Sequence, residues 1–425
     1  MTSTAAAARR TARTVRRRTA LPTAGTVVLA ALAAVATPLA WAPPAAADGQ
    51  CTFPAKPFEG RPWSLKRVLL DQLWVKTRGE GVKVAVIDTG VDDDHPQLKG
   101  AVDTELGKNM LPRKPKKDEY GNVPERGAEN GTDDTVGHGT KVAGIIAARP
   151  ADDTGFVGMA PGATIIPIQQ NDANGSGSTT TLAASIRHAV DVGARVINIS
   201  QDTAEPLRPD SELEQAVNDA LAEGVVIVAS AGNDGLGGNV KETYPASYEG
   251  VIAVASSDRN NERAPFSQSG DFVDIAAPGV DMVSTVPGGG HCADNGTSFS
   301  APYVAGVAAL LVAEHPDWKP HQIAAQLEQT AERSVPGHDR HVGWGVIDPV
   351  RALTEDDKPI EKPVAREGVD RAEPPTPAEL HLGETAQERT ERLGTYVVVG
   401  GGVLVSVIAG GSLVYRDWRR RRVTG

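Results

Sequence analysis

Four short motifs carry side chains able to act together on a carbonyl group. Asp88 ends Val-Ala-Val-Ile-Asp, His138 lies in Gly-His-Gly-Thr, and Ser298 lies in Gly-Thr-Ser-Phe-Ser-Ala-Pro. Asn233 closes Ala-Ser-Ala-Gly-Asn, between the second and third of these. Acyl transfer by a hydroxyl requires a nucleophile, a base to take its proton and a carboxylate to orient that base. It also requires donors for the oxyanion that develops. These residue types supply all of those parts, and no metal or organic cofactor is needed. Each residue alone has a plainer reading. An Asp after a strand commonly closes a turn, a lone His is usually structural, a Ser opening a helix is often an N-cap, and Asn suits left-handed turns. Their conjunction, in this order, is the signal.

The segments around these motifs read as the frame that must hold them. Apolar runs of strand length occur at 82–87, 164–168, 195–199, 225–229, 251–255 and 272–276. Several are continuous Val/Ile/Ala stretches, as in parallel strands buried on both faces. Helical periodicity occupies 138–148, 179–192, 211–223, 299–314 and 320–331. The alternation predicts an α/β fold, a doubly wound and mostly parallel sheet with its chemistry in loops at the carboxyl ends of strands. His138 then starts a helix between two glycines that leave its ring unobstructed. Ser298 opens another, where an unpaired N–H and a positive field suit an oxyanion, and Pro302 is expected in that helix's first turn. Residues 101–136 form a long charged insertion outside the pattern. The acid run Asp92, Asp93 and Asp94 reads as a solvated turn rather than a cation site.

Both ends differ from this frame. An Arg-rich start, an apolar stretch from Thr26 to Trp41 and Ala45-Ala46-Ala47 have the layout of a secretory signal over 1–47. An N-terminal extension follows at 48–81, then the catalytic domain at 82–354. Residues 355–394 are dense in Glu, Lys, Arg and Pro and read as a linker. The apolar segment 395–415 is long enough to cross a bilayer. Arginines in the tail 416–425 place that tail in the cytoplasm and everything before the span outside. Within the span, Gly402, Ser406 and Gly410 share a helix face open to a partner helix. The formal charge of −11 includes both basic ends, so the region between them is more acidic still. That argues against nucleic acid as a partner. Two cysteines occur, Cys51 and Cys292, and in an exported chain a lone pair is expected to be bridged.

The motifs resemble those of the subtilisin-type serine proteases, over roughly Val82 to Leu353. A narrower resemblance is to the mycosins, membrane-anchored subtilases of type VII secretion systems in actinobacteria. It rests on the Cys-bearing extension, Gly-Ile-Ile-Ala-Ala-Arg-Pro, Ile-Pro-Ile-Gln-Gln, Val-Ile-Asn-Ile-Ser, Gly-Thr-Ser-Phe-Ser-Ala-Pro-Tyr and the single C-terminal span. The resemblance implies that Asp88, His138 and Ser298 form the triad and that Asn233 is the oxyanion residue. It implies that Gly175, Ser176 and Gly177 form one edge for an extended peptide substrate, with Ser200 and Gln201 on the other. Ala231 and Gly232 would wall the first specificity pocket, with Thr243 near its base, favouring a modest, uncharged residue before the scissile bond. It also implies membrane proteins of a secretion complex as partners. Secreted subtilases commonly carry a larger, cleavable folding segment before the domain; the extension here is short and reads as one that stays attached. Mycosins commonly have more cysteines, including one after the Asn-Ile-Ser strand, where this chain has Gln201-Asp202-Thr203.

The rival reading is a structural component of a secretion complex whose catalysis is dispensable. A free digestive protease is disfavoured by the span.

Overall fold

The computed structural model describes residues 51–113, 126–172, 175, 177–201, 211–238, 241–366 and 384–423. The expected signal at 1–47, Ser176, Asp202 and linker residues 367–383 lie outside the described residues. The chain divides into two units, one ending at Arg366 and one beginning at Glu367.

The first unit is built on a parallel sheet of seven strands. They are β1 (Lys83–Asp88), β2 (Lys108–Asn109), β3 (Thr164–Gln169), β4 (Val196–Ile199), β5 (Val226–Ser230), β6 (Ile252–Ser257) and β7 (Ile275–Pro278). Their order across the sheet is β2-β3-β1-β4-β5-β6-β7. After β1 the chain goes out to the edge strand β2 and returns to β3 beside β1, then crosses to β4 on the other side. The crevice at such a reversal, beyond the carboxyl ends of the strands, is where α/β sheets bind ligands. Asp88, the last residue of β1, sits there.

Successive side chains of a strand point to opposite faces, and the core divides accordingly. Val84, Val86, Val196, Val228 and Val254 pack on one face with helices α3 (His138–Ala147) and α6 (Thr297–Glu314). Ala85, Ile87, Ile166, Ile197 and Ile199 pack on the other with α4 (Thr179–Asp191) and α5 (Glu212–Ala222). Each fully buried Val or Ile contributes about 1.5–3 kcal/mol of hydrophobic burial, which is why these runs carry no polar alternation.

Helix α6 is apolar all round because it is enclosed, the pattern expected of a buried helix. Its length and hydropathy would suit a membrane, yet 89% of it is buried inside the domain. It begins at Thr297, so Pro302 is its sixth residue and lies in the second turn, not the first as expected. The ring removes the N–H that would have bonded the Ser298 carbonyl.

Short helices α1 (Trp63–Lys66) and α2 (Leu70–Leu73) in the extension, with Val68 between them, insert Leu65, Val68, Leu70 and Leu73 into the core beside α3 and α6. The indole N–H groups of Trp63 and Trp74 donate to Val280 O and Met159 O, each at 2.9 Å. The extension is therefore part of the domain's core. A two-stranded antiparallel ribbon, β8 (Met282–Thr285) and β9 (His291–Asp294), lies between β7 and α6 in sequence. Cys292 on β9 is disulfide-bonded to Cys51. Further on come α7 (Pro320–Thr330) and α8 (Pro349–Thr354). Residues 355–366, read from sequence as the start of a linker, are held on the domain. Buried Asp356 accepts from Lys76 Nζ at 2.8 Å and pairs with His315 Nε2 at 2.8 Å.

In the second unit, α9 (Ala386–Val423) is one continuous helix, longer at both ends than the apolar stretch. None of its apolar window is buried, and its mean hydropathy is 2.2, so it is a candidate membrane span. The Ser406 hydroxyl donates to Gly402 O at 2.8 Å within the helix.

Candidate active site

Asp88 reaches the crevice because β1 stops there, and β3 fastens its backbone. The N–H groups of Gln170 and Asn171 both donate to Asp88 O, at 2.8 and 3.1 Å. The side chain is 1% exposed. Its Oδ1 accepts the Thr89 N–H at 2.8 Å and bonds His138 Nδ1 at 2.7 Å. Because the carboxylate can only accept, Nδ1 carries the proton and Nε2 presents its lone pair outward; this tautomer follows from the network. Oδ2 is buried without a partner among the described residues.

His138 is the first residue of α3, and its neighbours explain the Gly-His-Gly motif. Gly137 has φ 78°, a left-handed conformation open to glycine. A Cβ on Gly139 would collide with the Gly90 carbonyl oxygen and crowd Asp88. Burial of the ring opposes its charge, but the Asp88 carboxylate beside it, helped by Asp134, holds His138 above the ordinary imidazole value. The Phe299 ring lies 5.2 Å from the imidazole, centroid to centroid.

Ser298, the residue before Phe299, is half-buried at the second position of α6. Amides in the first turn of a helix have no intrahelical acceptor, so its N–H is free to serve a ligand. Ser298 Oγ makes no hydrogen bond among the described residues; in unliganded sites such catalytic bonds are often long and tighten around substrate. The preceding Thr297 is fully buried and ties α6 to the loop after β5. Its N–H and hydroxyl both donate to Asn233 Oδ1, at 2.9 and 3.0 Å, and its Oγ1 accepts the Gly232 N–H at 3.2 Å. Asn233 and Ser298 are thereby brought to the same helix start.

The residues expected to bind peptide divide into three sets. Gly175 is exposed in open space, and Gly177 is exposed with its Cα against the Gln170 amide. Ser200 Oγ accepts from Asn198 Nδ2 at 2.7 Å, and Gln201 Nε2 donates to Gln170 Oε1. Gln170 Nε2 in turn donates to Ser178 O and Thr181 Oγ1, both at 3.0 Å. A residue that sequence reasoning passed over, Gln170, thus links the two expected edges. Ala231, Gly232 and Thr243 are buried, and Thr243 Oγ1 donates to Ala231 O at 2.9 Å. Asp134 was missed as well. It lies four residues before His138 in a polar stretch that gives no sign of its burial.

The family model described as "Subtilase family" matches residues 79–345. Subtilisin Savinase of Lederbergia lenta is 40% identical over 271 residues, 64% of this chain and 91% of that protein. M-protease of Shouchella clausii is also 40% identical over 271 residues, and the match spans only 64% of its length. Among solved structures, MycP1 from Mycobacterium smegmatis has a TM-score of 0.62 at 32% identity, covering 75% of this chain and 91% of that one. MycP3 protease from the type VII (ESX-3) secretion system has a TM-score of 0.58 at 30% identity, covering 73% and 100% respectively. A parallel sheet that presents an Asp–His pair beside a buried helix beginning Thr-Ser, matched by this family over most of the first unit, makes the chain a member of the subtilase family.

Proposed function

We propose that this chain is a membrane-anchored serine endopeptidase acting outside the cytoplasm. In this reading Ser298 Oγ attacks the peptide carbonyl. His138 Nε2 accepts its proton and later delivers it to the leaving amine. Asp88 holds the imidazole in the required tautomer and stabilises its charged form, while Asn233 Nδ2 and the Ser298 N–H receive the oxyanion. The observation that carries the reading is the 2.7 Å bond between buried Asp88 and His138 Nδ1, which leaves Nε2 unprotonated. An unprotonated ring nitrogen is what a general base needs.

Likeness to MycP1 and MycP3, the latter named for a type VII (ESX-3) secretion system, supports a role beside such a secretion apparatus. Helix α9 supports a single anchor, with the arginine-rich end inside the cell. The expected signal supports export. Extended peptide would lie between Gly175–Gly177 and Ser200–Gln201, its first side chain directed to Ala231, Gly232 and Thr243.

Labelling by a fluorophosphonate probe tests the chemistry: the wild type should be modified and Ser298→Ala should not. Equal labelling of both, or of neither, would contradict the assignment. The same Ser298→Ala variant separates hydrolysis from a scaffolding role, since a scaffold predicts undiminished secretion in its presence.

A further inference from the structure

Asp134 is 5% exposed and belongs to none of the four motifs. Its Oδ1 accepts from Thr89 Oγ1 at 2.8 Å, the Val136 N–H at 3.2 Å and the Gly137 N–H at 2.8 Å. Its Oδ2 accepts the N–H and hydroxyl of Thr140, at 2.9 and 2.6 Å. Each hydroxyl is itself occupied as an acceptor. Thr89 Oγ1 takes the Gly139 N–H at 3.0 Å, and Thr140 Oγ1 takes the Asp92 N–H at 3.0 Å. Each therefore turns its proton toward Asp134.

Only an ionised carboxylate satisfies this arrangement, because a proton on either oxygen would face a donor. Burial outweighs the bonds from Thr140, Gly137 and Thr89 and holds Asp134 above the ordinary carboxylate value, but those five donors still oppose a proton on either oxygen. The network reaches both sides of the Asp88–His138 pair. Thr89 follows Asp88 at the end of β1; Gly137, Gly139 and Thr140 surround His138 at the start of α3.

The geometry assigns Asp134 as the positioning residue for His138, a buried anion that locks the end of β1 to the start of α3 and adds its field to that of Asp88. It does not touch the ring. The charged groups facing His138 are Asp88 from β1, Asp134 from the preceding loop and Lys141 from the next turn of α3. Lys141 Nζ is paired with Asp294 of β9 at 2.9 Å. Phe299, from α6, is uncharged. Removing the Asp134 charge should therefore make the imidazolium harder to form as well as loosening the ring's placement. This assignment rests on the hydrolytic reading above.

The experiment compares fluorophosphonate labelling rates across pH for the full-length, detergent-extracted wild type, Asp134→Asn and Ser298→Ala. Asp134→Asn should label about 10- to 100-fold more slowly, the scale of a misplaced catalytic group. Its acid limb should move to lower pH. A residue acting only as a helix cap would lower the thermal midpoint yet leave the folded enzyme's rate and acid limb at wild-type values, and that result would overturn the assignment. If Asp134→Asn does not fold, Thr89→Val decides. It removes the relay to Gly139 without changing charge, so labelling should slow with the acid limb unmoved, and wild-type labelling would overturn the proposal. A wild type that fails to label at all would instead sink the hydrolytic reading, and this assignment with it.

Discussion

Asn233 Oδ1 accepts hydrogen bonds from both the N–H and the hydroxyl of Thr297. A backbone N–H can only donate, so the amide oxygen must lie on that side and Nδ2 on the other. Nδ2 is 3.7 Å from the position a Cβ on Gly296 would take, next to the start of α6. In the proposed reading this donor is aimed before any substrate arrives. Asn233→Ala should lower kcat by about 10²–10³-fold with little change in KM, as for a group engaged only in the transition state. Steady-state kinetics on a peptide substrate would check this, and a rise in KM at constant kcat would contradict it.

In the proposed reading the Asp88–His138 pair should set the pH dependence. Burial of the ring works against its charge, and Asp88 outweighs burial, so His138 titrates above its ordinary value of 6.5. The base must be neutral to act. The acid limb of kcat/KM should therefore lie above that value. A raised folded value also means that the charged ring stabilises the fold fully below the unfolded value, a contribution lost as pH rises through the folded one. Activity should grow over the window in which that stabilisation disappears. Asp88→Asn should cut kcat by about 10⁴-fold and move the acid limb to lower pH. An unmoved limb would mean that Asp88 is not the dominant partner.

Thr243, expected near the base of the first specificity pocket, has its hydroxyl committed to Ala231 O. Thr243→Gly should deepen the pocket and raise kcat/KM for Phe or Leu before the scissile bond by about 10-fold or more relative to Ala. Profiling with a fluorogenic peptide series would show it. A uniform change across the series would place Thr243 outside the pocket.

Glu328 on α7 is buried, and burial, then the neighbouring Asp274, pushes it up to about 9. Asp274 is itself pushed up to about 7 by burial, though its Oδ2 accepts the Ala253 N–H at 2.8 Å. The fold thus keeps Glu328 protonated while the unfolded chain sheds that proton above its ordinary value of 4.5. Stability should fall from there up to about pH 9. Glu328→Gln, already neutral, should gain thermal midpoint over the wild type progressively toward alkaline pH and match it near the acid end. Parallel melting curves at every pH would refute this.

The Cys51–Cys292 bridge fastens the start of the extension to β9. Nearby, Ala55 N–H donates to Gly289 O at 3.0 Å and Phe58 N–H to His291 Nδ1 at 3.0 Å. Replacing both cysteines by serine should cost about 2–5 kcal/mol of stability, measured by denaturant unfolding. A free-thiol assay on the wild type should count none.

Much of this was legible in sequence because the relevant residues sit in short, unambiguous surroundings. Asp88, His138, Asn233 and Ser298 each end an apolar run or open a helix, and the strand runs before them are long enough to recognise. Strand β2 was not, since Lys108–Asn109 has two residues, one exposed, inside a charged insertion. The ribbon of β8 and β9 was missed because β9, His291–Asp294, is polar and only partly buried. Helices α1 and α2 are four residues each, too short for periodicity to show. Asp134 and Gln170 escaped for another reason. Their importance lies in bonds to Thr89, Thr140, Ser178 and Gln201, and a polar residue's partners are set by tertiary structure. Pro302 misled, since it lies in the second turn of α6, where its ring removes a backbone bond.

The sulfur bridge has a consequence for nicking. Cys51 precedes Asp88 and Cys292 precedes Ser298, and the two cysteines are 241 positions apart in sequence. Cutting the backbone anywhere in that interval, the charged insertion included, divides the polypeptide without parting it. Asp88 stays leashed to the fragment that bears Ser298. Such a molecule would migrate at full size on a denaturing gel until a reductant separated its halves, so an intact band without reductant says nothing about an intact chain.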